Sequence, residues 1–176
     1  MRRAVLFTVL LLGCRTAKPP GATPLGTVAP TEFAVFERLP GGGVIEHGLV
    51  SLPGAPVQRG LFVRPLDESL DVAAIARALK GSNVSGVSLA GWPRVDALST
   101  LCESVPLEWL DLSRTNVVGV LRDLSKCSQL NALVIDQARV TDESLVTLKP
   151  LRSLDARETA LGDAALAVLS TWPALE

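Results

Sequence analysis

The chain has 176 residues, 48% of them apolar, with few aromatics, no Tyr, and 17 basic side chains against 18 acidic ones. That is enough chain for one domain with a real core, and the core must be aliphatic. From Val84 onward the balance falls to 8 basic against 12 acidic residues, which excludes the one-faced concentration of Lys and Arg that a nucleic-acid binder uses.

Met1-Arg2-Arg3 is a short basic start, Ala4 to Leu12 is an apolar run of nine residues, and Gly13-Cys14 follows. A basic region before a short apolar one reads as a secretory signal over residues 1–13. Nine helical residues reach only about 14 Å, too little for a hydrocarbon layer of about 30 Å. The ending Leu11-Leu12-Gly13-Cys14 resembles the lipobox of bacterial lipoproteins, with Leu12 larger than the residue usual there. That resemblance implies a cleaved signal and acylation at Cys14, and two or more acyl chains anchor a protein stably where one does not. Arg15, rather than Asp, after the cysteine points by the sorting habit of that family to the outer membrane. Residues 14–32 are rich in Pro, Ala, Gly and Thr and lack apolar periodicity. They read as a tether that holds a folded module clear of the lipid head groups.

Residues 33–66 change character. Phe33 to Phe36 and Val44 to Val50 are β-prone runs around Pro40-Gly41-Gly42-Gly43, and Leu61 to Arg64 is a third run closed by Pro65. This predicts a hairpin followed by a strand, placed to cap the bare first end of whatever follows. Ser69 or Asp71 can then start a helix to about Lys80, with Val72, Ile75, Ala76 and Leu79 on one face and Gly81 at its stop.

The pattern Leu-x-x-Leu-x-Leu then recurs. Val84, Val87 and Leu89 form a loose copy; Leu107, Leu110 and Leu112, then Leu130, Leu133 and Ile135, then Leu151, Leu154 and Ala156 follow, and Leu175 opens what would be another. The starts lie 23, 23, 21 and 24 residues apart, a period that belongs to stacked repeats. Helical patterns separate them: Val95, Leu98, Leu101; Val118, Leu121, Leu124; Leu145, Leu148; Ala165, Leu166, Leu169. Strands alternating with such stretches imply parallel strands joined by crossovers.

Leu107 to Val117, with Val140 to Leu148 and Leu161 to Leu169, resembles the leucine-rich repeat motif in its bacterial and cysteine-containing subtypes. The resemblance covers about residues 84–176. It implies an α/β leucine-rich repeat solenoid over residues 67–176, with parallel strands, outer helices and about four repeats, behind the β-rich cap. It also implies a polar residue at the ninth position of each unit. Thr115 and Thr159 fit, while Trp92 and Ala138 do not. Cysteine-containing repeats bury their cysteines as thiols, and Cys102 and Cys127 sit in registers that differ by two residues; two free thiols are therefore expected rather than a disulfide. The third unit is two residues short, so its crossover must be tighter, and no polar cap follows Leu175.

The residues between and after the leucines face out of such a solenoid. Trp109, Asp111, Arg114, Asn131, Val134, Asp136, Arg152, Asp155 and Arg157 are thus the expected binding face, with Trp109 beside Asp111 and Arg114 having the composition of a hot spot. The alternative is an ordinary solvated strand face with Trp109 resting on a neighbouring strand. No metal-ligand spacing, nucleophile elbow or phosphate loop occurs, and His47 is the only histidine. Catalysis, a cofactor and a metal are therefore not expected. The expected function is a lipid-anchored envelope protein that presents a surface to another protein or an envelope polymer. Two alternatives stand beside it: an accessory or truncated protein completed by a partner or a second copy at its C-terminal end, and an envelope hydrolase using His47.

Overall fold

The computed structural model describes residues 31–38, 44–53, 57 and 60–176. The expected signal, Cys14, the expected tether up to residue 30 and the expected turn at 40–43 lie outside the described residues.

Three strands come first: β1 (Thr31–Arg38), β2 (Val44–Leu52) and β3 (Leu61–Pro65). β1 lies between the other two and is antiparallel to both. It begins at Thr31, where Thr31 pairs with Leu52 and Glu32 with Ser51. The register shifts between Val35 and Phe36, opposite Gly48 at φ +110, a conformation that Gly adopts without a Cβ clash.

α1 (Val72–Leu79) follows, with Asp71 Oδ1 accepting from Ala74 N at 2.6 Å as its N-cap. That bond satisfies one of the orphan donors at the helix start. Val72, Ile75, Ala76 and Leu79 are buried together.

From here strands and crossovers alternate: β4 (Gly86–Ser88), α2 (Leu98–Ser104), β5 (Trp109–Asp111), a 3₁₀ segment (Leu121–Lys126), β6 (Ala132–Val134), α3 (Asp142–Val146), β7 (Ser153–Asp155) and α4 (Asp163–Leu169). β3 to β7 run parallel, giving one seven-stranded, mostly parallel sheet in the order β2-β1-β3-β4-β5-β6-β7. The architecture is α/β.

Register places like beside like. Val63, Val87, Leu110, Leu133 and Leu154 form one row across five strands. The first four are at most 1% exposed. Each fully buried aliphatic side chain contributes about 1.5–3 kcal/mol, so this row and its neighbours outweigh the ordering of such short strands. Peptide groups follow the same step: Ser85 N donates to Leu61 O, Glu108 N to Ser85 O, Asn131 N to Glu108 O, Arg152 N to Asn131 O and Glu176 N to Arg152 O.

Two expectations need correction. Val118 and Leu166, read as inward, are 52% and 62% exposed. The crossovers are only one or two turns long, so a single row from each (Leu121 and Leu124, or Ala165) reaches the interior. Cys102 and Cys127 are a disulfide, with Cα atoms 4.6 Å apart, rather than two thiols. A two-residue offset keeps cysteines apart only where successive crossovers wind alike. One is an α-helix and the other a 3₁₀ segment, which rises faster per residue.

Candidate functional site

Side chains on the face opposite the aliphatic row also fall in register. One row is Phe36, Phe62, Gly86, Trp109, Ala132 and Ser153; the next includes Ser88, Asp111, Val134 and Asp155. The face carries aromatics toward β1 and charge toward β7.

Trp109 is half-buried and rests on a neighbouring strand, the alternative to a free-standing hot spot. Its ring packs on Phe62 with centroids 4.6 Å apart, Phe62 stacks on Phe36 at 5.2 Å, and the Arg38 guanidinium lies 5.3 Å from the indole centroid. Trp109 therefore reaches across β4 to rest on β3. Gly86 makes this possible: a Cβ there would lie 2.7 Å from Phe62 Cβ and 3.1 Å from Trp109 Cε3. Gly86→Ala should force the two rings apart and cost about 1–3 kcal/mol by overpacking. Chemical denaturation measures it, and an unchanged midpoint would contradict the packing described.

Asp111 is half-buried and largely occupied. Oδ2 accepts from Ser88 Oγ at 2.9 Å, and Oδ1 accepts from Ser113 N at 2.9 Å and Ser113 Oγ at 2.6 Å. These bonds close the turn after β5, so this carboxylate positions backbone as much as it faces solvent. Val134 separates it in its row from Asp155; two strand spacings of roughly 4.8 Å keep these carboxylates from acting as a pair. Asp155 is gripped by Arg157, with Nε to Oδ1 at 2.8 Å and Nη2 to Oδ2 at 2.9 Å. That hydrogen bonding holds the Asp155 carboxyl below its ordinary value, against a smaller opposing effect of burial, and Asp155 in turn raises Arg157.

Arg114, Asn131, Arg152 and Arg157 are exposed, and Asp136 is half-buried. Arg114 sits in a left-handed turn at φ +57, and the same conformation occurs at Gly91 (+74), Gln137 (+55) and Glu158 (+53). These four residues follow the spacing of the leucine pattern. They are stitched together by Gly91 N to Ser113 O, Arg114 N to Asp136 O and Gln137 N to Arg157 O. At the residue after the turn, Thr115 Oγ1 donates to Leu112 O at 2.5 Å and Thr159 Oγ1 to Ala156 O at 2.6 Å. Ala138 and Trp92 keep only the backbone bonds to Ile135 O and Leu89 O. The Trp92 indole Nε1 instead donates to Leu70 O at 3.1 Å, tying this turn to the segment before α1.

Reading the sequence alone missed Phe36, Phe62 and Arg38 as neighbours of Trp109. They lie far away along the chain, in a segment without the leucine spacing. His47 lies on edge strand β2, exposed and 2.9 Å from Glu37 Oε2. Four strand steps separate β2 from β5, roughly 19 Å at 4.8 Å per step, so the imidazole is not brought to Asp111. No helix among the described residues is long and apolar enough to cross a membrane. Among the described residues no group of three or more His, Cys, Asp or Glu side chains could hold a metal ion.

No family model, no curated protein and no solved structure matches this chain.

Proposed function

We propose that the chain is a noncatalytic, lipid-anchored envelope protein whose leucine-rich repeat solenoid presents the face around Trp109, Arg114, Asp136, Asp155 and Arg157 to another protein or an envelope polymer. The observation that carries this reading is the register. Four parallel strands and four left-handed turns at matching positions set outward side chains, several of them charged, in rows above a dry aliphatic layer. Rows of side chains in register suit a display surface, and among the described residues His47 lies four strands from Asp111. The Cys102–Cys127 disulfide supports export, because such bonds persist in oxidising compartments. The signal-like start and Cys14 supply the anchor.

Arg114→Glu tests the surface better than a change at Asp111, whose carboxylate is tied into the turn. It should abolish capture of the partner by crosslinking in intact envelopes while leaving the melting temperature nearly unchanged. Full capture by the variant would remove this face from the interaction. Cys14→Ser should release the protein from membranes, and persistent anchoring would contradict the lipoprotein reading.

A second reading has one observation in its favour. Leu154 is half-buried where Leu110 and Leu133 are sealed, so the β7 end suits an accessory subunit covered by a partner or a second copy. Monomers at all concentrations in sedimentation would remove self-association.

A further inference from the structure

At the carboxyl ends of the parallel strands, just past the left-handed turns, a groove of about 340 Å³ crosses from Gly91 and Pro93 to Arg139. Trp92 and Thr115 form its buried floor, and Arg114, Asn116, Gln137 and Arg139 are its exposed rim. Its frame is fixed by backbone bonds from Arg139 N to Thr115 O and from Val117 N to Arg139 O. Two arginines are among the residues that line it and no acidic residue is. Three other depressions among the described residues each include a carboxylate: Glu103, Glu143 or Glu108. The groove thus reverses the acidic balance of the chain beyond Val84. Arg157 is held by Asp155, whereas the side chains of Arg114 and Arg139 have no hydrogen-bond or ion-pair partner among the described residues.

We infer that this groove holds an acidic peptide segment, its carboxylates on Arg114 and Arg139. Planar guanidinium groups match carboxylates bidentately. The rim also offers both senses of amide hydrogen bond. Asn116 Oδ1 is turned to Val118 N, which leaves its NH2 to donate. Gln137 Nε2 is turned to Glu158, which leaves its carbonyl to accept. A peptide backbone answers both, whereas a polyphosphate offers acceptors alone. An acidic glycan would want an exposed ring to stack on, and Trp92 is only 3% exposed.

This inference rests on the display-surface reading, shares Arg114 with it and adds Arg139. The test is binding of fluorescent decaglutamate to the intact chain at low ionic strength, read by anisotropy. Arg114→Gln and Arg139→Gln should each weaken binding several-fold and together at least tenfold, while Arg77→Gln on α1 should not. Gln is a fair replacement at 114, since Gln137 holds the same turn conformation. An unchanged affinity in Arg139→Gln would overturn the inference, as would absence of decaglutamate binding, or binding of polyphosphate or polygalacturonate in its place. Partner capture that is lost in Arg114→Glu but survives in a chain blind to decaglutamate would leave the display surface standing and the groove assignment refuted.

Discussion

Leu133→Asp should abolish cooperative folding. Leu133 is 1% exposed at the centre of β6, with Leu110 beside it on one strand and Leu154 on the next. The substitution removes about 1.5–3 kcal/mol of burial. It also places in a dry row a carboxyl that must either take up a proton or leave a charge uncompensated, at a further cost of several kcal/mol. Domains of this size have only about 5–15 kcal/mol to lose. The variant should show neither a cooperative denaturation transition nor native circular dichroism, whereas Asn131→Asp, two residues earlier and exposed, should fold normally. A folded Leu133→Asp protein would mean that this row is not an interior.

The second large effect concerns the disulfide. It joins residues 25 apart in sequence and ties the crossover after β4 to the crossover after β5. A closed loop of this length restricts the unfolded chain by about 2–4 kcal/mol. Reduction, or Cys127→Ala, should lower the free energy of unfolding by that amount. Cys127 is 2% exposed while Cys102 is half-buried, so attack by a reductant should be slow in the native state and fast in denaturant. Equal stability with and without reductant would show that the bond contributes nothing.

The leucine spacing made the second half of the molecule legible because it states two periods at once, one for the strand and one for the distance between strands. Leu110 and Leu133 could be assigned inward from spacing alone, and they are. The crossovers were less legible. Val118 and Leu166 obey a helical pattern, yet Val118 lies in the turn before the 3₁₀ segment and α4 is only seven residues long, so only part of each pattern is buried. The cysteine register misled for a related reason: sequence offset measures distance only when both segments wind alike. The candidate face was legible as a set of positions, since outward residues alternate with inward ones. What each side chain does there was not. Trp109 is covered by Phe62 because Gly86 leaves a gap between them, and a glycine in a three-residue strand gives no sign of which ring will fill its space. Asp111 is consumed by Ser88 and Ser113, one of them 23 residues away. Arg139 was passed over because it stands two residues beyond the turn row, where only the folded groove brings it alongside Arg114.

The most direct measurement places a photo-crosslinking amino acid at Arg114 in one protein and at Leu166, exposed on α4, in another, and irradiates each in intact cells that produce the protein. A discrete adduct from position 114 and none from 166 is the expected result. No adduct from 114, or the same adducts from both, would contradict the claim that the face carrying the left-handed turns is the one this protein uses.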